Sequence, residues 1–318
     1  MNEMDVITCP VCNSQAYEML RKHRSHTPVF KDCFLIHCRN CGMVYTAPMP
    51  DDHSLALYNA GYFTNAHGGL NTNPLTTAFI SAINLLRVLY VESYAVKNNC
   101  EIKKVLEVGP GGGHFARHWL QRHNDNERYT GVESDKICYP NLESIGVKIY
   151  SDVNELPEEQ LVDLVVISHV LEHTSHPAAF IKDCTKLLSP GGILFVEVPC
   201  KDYEHKDMDE PHLLFFDKKP MELFFTKQGF THIQTSYHGN TITDLKKPIS
   251  LYKKFFSKAR NFLLRKGVLF PFSGIEKGLE NVRNPLERAS VKPFKAHIEQ
   301  EQPSWWLRAI GIKNKIVV

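Results

Sequence analysis

Residues 104–115 read K-V-L-E-V-G-P-G-G-G-H-F, and no other stretch restricts the fold of this chain so tightly. Val105, Leu106 and Val108 make a short apolar run of the kind that forms a buried parallel strand. Gly109, Gly111, Gly112 and Gly113 follow at once, and an amphipathic helix with Phe115, Trp119 and Leu120 on one side begins after them. Glycines at this point allow a tight strand-to-helix turn and let a ligand lie against bare backbone. A second apolar run, 129–132, ends at Glu133. A carboxylate about 20 residues past such a loop is placed to accept hydrogen bonds from ribose hydroxyls.

Two nucleotides suit this pair, a dinucleotide or S-adenosylmethionine (SAM). The G-x-G-x-x-G spacing of dinucleotide sites is missing, because His114 and Phe115 follow Gly113. Glu107 instead stands inside the strand, two residues before the first glycine. E-x-G-x-G-x-G at the end of a first strand resembles the cofactor loop of class I SAM-dependent methyltransferases. D-L-V-V-I-S-H-V-L-E-H at 163–173 is similar to their fourth strand and its loop, and L-L-S-P-G-G-I-L-F-V-E-V-P at 187–199 to the turn into the fifth. The resemblance covers 105–238. It implies a Rossmann-like, doubly wound, mostly parallel α/β sheet of seven strands, the seventh antiparallel between strands five and six. It also implies that Glu107, Gly109, Gly111, Gly113 and Glu133 hold SAM. Asp152, just past the third strand, either accepts from the adenine amino group or caps a helix before Leu156. Ser168 and His169 close the fourth strand and should face the methionine part of SAM or the acceptor. A Rossmann-like domain without a cofactor would leave the glycine turn and Glu133 with no packing reason.

The alternation of strands near 104–109, 129–133, 147–150, 163–168 and 193–198 with helices independently predicts a parallel sheet, with a sixth strand at 230–237. At 318 residues the chain can hold one large α/β core and small appendages. A net charge of +2 demands no nucleic-acid partner. The start lacks a signal-peptide pattern and no run of 18 apolar residues occurs, so the expected compartment is the cytoplasm.

Nine cysteines in a cytoplasmic chain point to metal or free thiols rather than disulfides. Cys9-Pro10-Val11-Cys12 and Cys38-Arg39-Asn40-Cys41-Gly42 are two C-x-x-C knuckles separated by 25 residues. Four thiolates fill a tetrahedral ion, so the expectation is a structural Zn2+ ribbon at 1–50, with a β-hairpin around the second knuckle. The redox alternative lacks the βαβ context of a thioredoxin motif. Cys33 and His37 are nearby spares. Residues 51–100 read as a connecting segment with a helix at about 75–97, 101–240 as the SAM-binding core, and 241–318 as a helical insertion plus the final strand. Tyr62 and Phe63 either pack between ribbon and core or, as in methyltransferases this chain resembles, cover the cofactor.

Methyl transfer to a hydroxyl or an acidic carbon needs a base beside the methyl group. The loop after strand five offers His205 and His212, and histidine titrates near working pH. Glu210-Pro211-His212 followed by Phe215 and Phe216 resembles the zinc-ribbon sugar methyltransferases, in which a histidine at this point is the base. Tyr203-Glu204-His205 resembles a triplet of the same group. His212 is the first choice, because the aromatic pair after it can dock the loop on the core. Glu172 and His173 read as a structural pair holding the loop. In a metal-assisted alternative Glu172, His173 and His212 bind a divalent ion, with His169 standing where a second Glu is usual.

Residues 245–266 carry eight Lys/Arg and no Asp or Glu, with Phe255, Phe256, Ala259, Phe262 and Leu263 at helical spacing. Such a helix either packs its stripe on the domain or lies on an anionic membrane face, and the first is the expectation. The seventh strand is expected from the apolar, β-branched end, 312–318. Joined to this core, the ribbon suggests a small-molecule acceptor of the sugar, nucleotide-sugar or glycan class. The rivals are a phenolic or lipid-like acceptor, or a SAM-binding module without catalysis.

Overall fold

The second cysteine knuckle turns the chain tightly: Gly42, at φ +82°, donates from its amide to Cys38 O at 2.9 Å. The computed structural model describes residues 7–59, 74–123, 129–248, 251–269 and 295–314. Strands β1 (Tyr17–Lys22), β2 (Phe34–Cys38) and β3 (Val44–Ala47) form the expected hairpin and one further antiparallel strand. Phe30, Ile36, Met43 and Tyr45 fill the space between this sheet and the core.

Helices α1 (Asp52–Asn59) and α2 (Pro74–Lys97) follow. Tyr62 and Phe63 lie outside the described residues. α2 is apolar enough by length and composition to cross a membrane. Val88 and Val91 are nevertheless fully buried against the sheet, and Arg87 on the same helix reaches a buried carboxylate, as a core helix would arrange them. α2 is therefore part of the core packing and not merely a connector.

The alternating runs fold as read: β4 (Val105–Val108), α3 (His114–His123), β5 (Tyr129–Val132), α4 (Tyr139–Glu143), β6 (Lys148–Tyr150), β7 (Val162–Ser168), α5 (Pro177–Cys184) and β8 (Leu188–Pro199). Phe115, Ala116, Trp119 and Leu120 give α3 its buried face. Among the described residues a short strand β9 (Leu214–Phe215), helix α6 (Lys218–Lys227), strand β10 (Phe230–Thr241), helices α7 (Ile242–Leu245) and α8 (Leu251–Arg265), and strands β11 (Glu299–Gln300) and β12 (Ser304–Lys313) follow.

Among the described residues the central sheet has eight strands, in the order β11-β10-β12-β8-β7-β4-β5-β6. β6, β5, β4, β7 and β8 are parallel, and β12 runs antiparallel between β8 and β10. This is the seven-strand order of the Rossmann-like methyltransferase fold, with the two-residue β11 added at the edge.

Three expectations are corrected here. The strand beside β8 does come from the C-terminal region, but it is Ser304–Lys313 and not 312–318; residues 315–318 lie outside the described ones. The strand escapes notice because Arg308 stands at its centre, 1% exposed, where Glu197 of β8 pairs with it. The aromatic pair after His212 is divided: Phe216 packs on α6 against Phe224, while Phe215 joins β9 to the ribbon. The apolar stripe of α8 does not pack on the domain, for Phe255 and Phe262 are 68% and 59% exposed.

Candidate active site

Between β4 and α3 the backbone turns through three left-handed glycines, Gly109 (φ +73°), Gly111 (φ +52°) and Gly113 (φ +73°). At Gly109 a Cβ would stand 2.4 Å from Val170 Cγ2, so the turn also needs a bare backbone for packing on the loop after β7. Gly109→Ala should therefore cost about 1–2 kcal/mol of stability for the backbone conformation alone and lower the melting temperature accordingly. Thermal unfolding checks this, and an unchanged midpoint would refute the strained turn.

Glu133 ends β5 directly below the loop. Its Oε2 accepts from Gly111 N and its Oε1 from Asp135 N, both at 2.9 Å. Burial pushes this carboxyl up, and the two amides oppose that. Each oxygen keeps a further lone pair for a ligand hydroxyl. Glu107 has a different place from the one expected. Its carboxyl is buried, accepts from Tyr129 Oη at 2.6 Å and is pushed up to about 7 by desolvation, so it braces the strand pair rather than lining the open side of the loop. Asp152 takes the capping role: it is exposed and accepts from Asn154 N at 2.8 Å.

A second group of side chains meets at the carboxyl ends of β7 and β8. His169 leaves β7 at φ +57°, with Nε2 3.3 Å from Glu197 Oε1 and Nδ1 3.5 Å from Glu172 Oε1. Burial would lower its pKa, but the two carboxylates raise it. Glu197 is fully buried and accepts from Arg87 Nη2 at 2.5 Å and from Arg308 Nε at 2.6 Å. These charge-assisted bonds hold it well below the usual carboxylate range despite desolvation, so Glu197 remains an anion that orients His169.

Glu172 is 1% exposed, and its Oε1 faces two imidazoles, His169 Nδ1 at 3.5 Å and His173 Nε2 at 3.8 Å, both longer than a good hydrogen bond. Desolvation would raise this carboxyl, but the facing histidines hold it below its usual value. His173 is pushed down to about 4 by desolvation and stands neutral beside it. The ring of His212 meets that of His173 edge-on, with centroids 5.0 Å apart. His212 Nδ1 donates to Asp202 Oδ2 at 2.6 Å, and both residues are buried. Desolvation would raise Asp202, but the facing His212 and Lys206 hold it below the ordinary carboxylate range. With Nδ1–H committed to that anion, Nε2 of His212 is the free acceptor, as a general base or metal ligand requires. His205, the other candidate, donates its backbone N–H to Asp202 O at 3.0 Å, but its Nδ1 is buried without a partner, and desolvation lowers its pKa. Asp202 and Glu197 escaped the sequence reading.

The loop bearing His212 is stitched to the ribbon. β9 pairs with β3, Val44 opposite Phe215 and Tyr45 opposite Leu214, to give the four-stranded sheet β1-β2-β3-β9. Asp209 accepts from Arg21 Nη1 at 2.5 Å and Arg24 Nη2 at 2.7 Å, and His23 Nε2 donates to His212 O at 3.3 Å. Leu213 N donates to Glu172 O at 2.8 Å, which ties the same loop to the other half of the cluster. In the ribbon, Cys9 Sγ and Cys41 Sγ are 3.6 Å apart and Cys12 Sγ and Cys38 Sγ 3.4 Å, and all four sulfurs lie within 4.8 Å of one another. Zinc–thiolate bonds of about 2.3 Å at tetrahedral angles put sulfurs roughly 3.8 Å apart, so the four residues fit the ion.

A sheet of this order, with a glycine loop after its first strand and a carboxylate at the end of the second, has the Rossmann-like architecture found in class I SAM-dependent methyltransferases. Residues 88–235 match the family model described as a methyltransferase domain. Among curated proteins, the ubiquinone biosynthesis O-methyltransferase of Pseudomonas aeruginosa is 29% identical over 123 residues, 36% of this chain and 50% of that protein. Its namesake in Acinetobacter baylyi is 31% identical over 126 residues, again 36% and 50%. The chain spans about half the length of the curated relatives it matches. The fold also resembles the crystal structure of the plantazolicin methyltransferase BamL bound to a triazolic desmethylPZN analog and SAH (S-adenosylhomocysteine). That likeness has a TM-score of 0.50 and 17% identity, and covers 82% of this chain and 96% of that one.

Proposed function

We propose that this protein moves the methyl group of SAM to a hydroxyl of a sugar, nucleotide-sugar or glycan intermediate, with His212 as the general base. The buried Asp202–His212 pair carries the proposal. It stands at the carboxyl edge of the sheet, where ligands of such folds bind, with Nε2 of the imidazole free. SAM would supply an electrophilic methyl group, whose bond to the sulfonium sulfur breaks as the new bond forms and leaves neutral S-adenosylhomocysteine. Nε2 of His212 takes the hydroxyl proton as the oxygen forms its bond to the methyl carbon, and Asp202 stabilises the resulting imidazolium. The sugar class is supported by the resemblance of Glu210-Pro211-His212 and its ribbon to the sugar methyltransferases.

Glu133 is assigned to the ribose and Gly109, Gly111 and Gly113 to the backbone cradle. Glu133→Ala should weaken SAH binding by roughly tenfold to a hundredfold, the value of hydrogen bonds to a charged group. Unchanged affinity by calorimetry would remove the ribose assignment. The zinc proposed for Cys9, Cys12, Cys38 and Cys41 is structural, since four thiolates leave no open position. Metal analysis should find about one equivalent per chain.

A second reading is favoured by one observation: Glu172, His173 and His212 offer ligand atoms that all lie within 4.8 Å of one another. Two imidazoles and a carboxylate suit a divalent ion. Held there, the ion would polarise the hydroxyl of a phenolic or lipid-like acceptor, the alternative that the name of the ubiquinone relatives supports. A second metal equivalent and loss of turnover on mild chelation would select this reading. Turnover that survives chelation selects the first.

A further inference from the structure

β12 runs antiparallel to both β8 and β10, so β10 runs parallel to β8. It therefore ends on the carboxyl edge of the sheet, the edge that carries His169 and Glu197, and α7 and α8 leave the core from there. At their root, Lys246 Nζ donates to Glu204 Oε2 at 2.9 Å, and Glu204 stands two residues from Asp202 in the loop that bears His212. The basic segment is thus anchored beside the site.

Leu251, Tyr252, Phe255, Phe256 and Phe262 of α8 are 84%, 71%, 68%, 52% and 59% exposed. At 3.6 residues per turn they share one arc of about 140° with Ala259. Lys258, Arg265 and Lys254 flank one edge of that arc, about 20°, 40° and 60° beyond Leu251. Five large apolar side chains held together in water mark an interaction surface. Charge selects the partner: the helix itself carries Lys253, Lys254, Lys258, Arg260 and Arg265 and no Asp or Glu, so every charge it contributes beside the arc is positive. A planar surface with acidic headgroups over an apolar interior matches both features.

We propose that residues 245–266 dock the protein on an anionic lipid bilayer, with α8 lying in the headgroup plane. Docking requires no methyl transfer, so it can fail or stand independently of the proposed chemistry.

The test is sedimentation of the full chain with vesicles of phosphatidylcholine alone or of equal parts phosphatidylcholine and phosphatidylglycerol. Anionic lipid should raise the bound fraction about tenfold or more, and high salt should reverse this as the Debye length falls from about 10 Å to about 3 Å. Phe255→Ser combined with Phe262→Ser should weaken binding by about tenfold or more, since burial of each ring alone is worth that much. Lys254→Glu with Lys258→Glu should do the same, with unchanged circular dichroism in both variants. No sedimentation with either vesicle would overturn the proposal, as would equal binding to both at every salt concentration. A dimer that the Phe variant abolishes, without lipid binding, would assign the face to a second copy and also overturn it.

Discussion

His212→Ala should lower kcat by roughly 10²–10⁴-fold, the usual contribution of a positioned proton acceptor, while SAH affinity stays unchanged. The imidazole is oriented from both sides. Asp202 holds Nδ1–H at 2.6 Å, and the backbone of His212 is fixed by His23 and Asp209. Asp202→Asn keeps the shape but removes the anion, so it should also lower kcat with little change in KM. His205→Ala should leave turnover near that of the wild type, because the bond of His205 to Asp202 is made by its backbone and its ring Nδ1 has no partner. The pair also gives stability a pH dependence. A carboxyl depressed on folding stabilises the protein above its unfolded pKa of about 4, and that contribution disappears as pH falls through the lower folded value. Equal kcat for His212→Ala and wild type would remove the base, whatever the outcome for the cofactor site.

Cys38→Ser should have almost as large an effect on turnover from a distance. Loss of one thiolate opens the ribbon, and with it the strand pairing of β3 with β9 and the contacts of Arg21, Arg24 and His23. The His212 loop then loses its support on that side. Turnover should fall by on the order of 10²-fold, approaching loss of the base itself. SAH binding should persist, because the glycine loop and Glu133 touch none of these groups. Asp209→Ala isolates the clamp with the cysteines intact: it should cut turnover by about tenfold and leave SAH affinity alone, for misplacement of a catalytic group is costly. Parallel calorimetry and single-turnover assays separate the two effects. A Cys38→Ser protein with full turnover would show that the ribbon does not position the loop.

The core was legible because its signals are local. A buried strand, a glycine turn and an acidic strand end follow one another within 30 residues of Lys104, and the structure joins them by the bond from Gly111 N to Glu133. The ribbon hairpin was legible for the same reason. What was missed depends on partners far away in sequence. Arg308 looks like a surface residue until Glu197, 111 residues earlier, neutralises it inside the sheet, and this hid the true seventh strand behind the more strand-like 316–318. Asp202 meets His212 because the intervening loop folds back on itself, a path with no fixed spacing to read. Phe215 was assigned to the core because nothing in a two-residue strand announces that its partner is Val44. For α8, amphipathicity is a property of the sequence, but whether anything covers the apolar arc is a property of the fold.

The account is tested most directly by supplying methyl-labelled SAM to the wild-type and His212→Ala proteins with pools of nucleotide-sugars and lipid-linked glycans. Mass spectrometry then locates the label. The expected result is an O-methylated sugar formed by the wild type, and none above background formed by a His212→Ala protein that still binds SAH. A label appearing equally with both proteins, or on no acceptor hydroxyl in either pool, would contradict it.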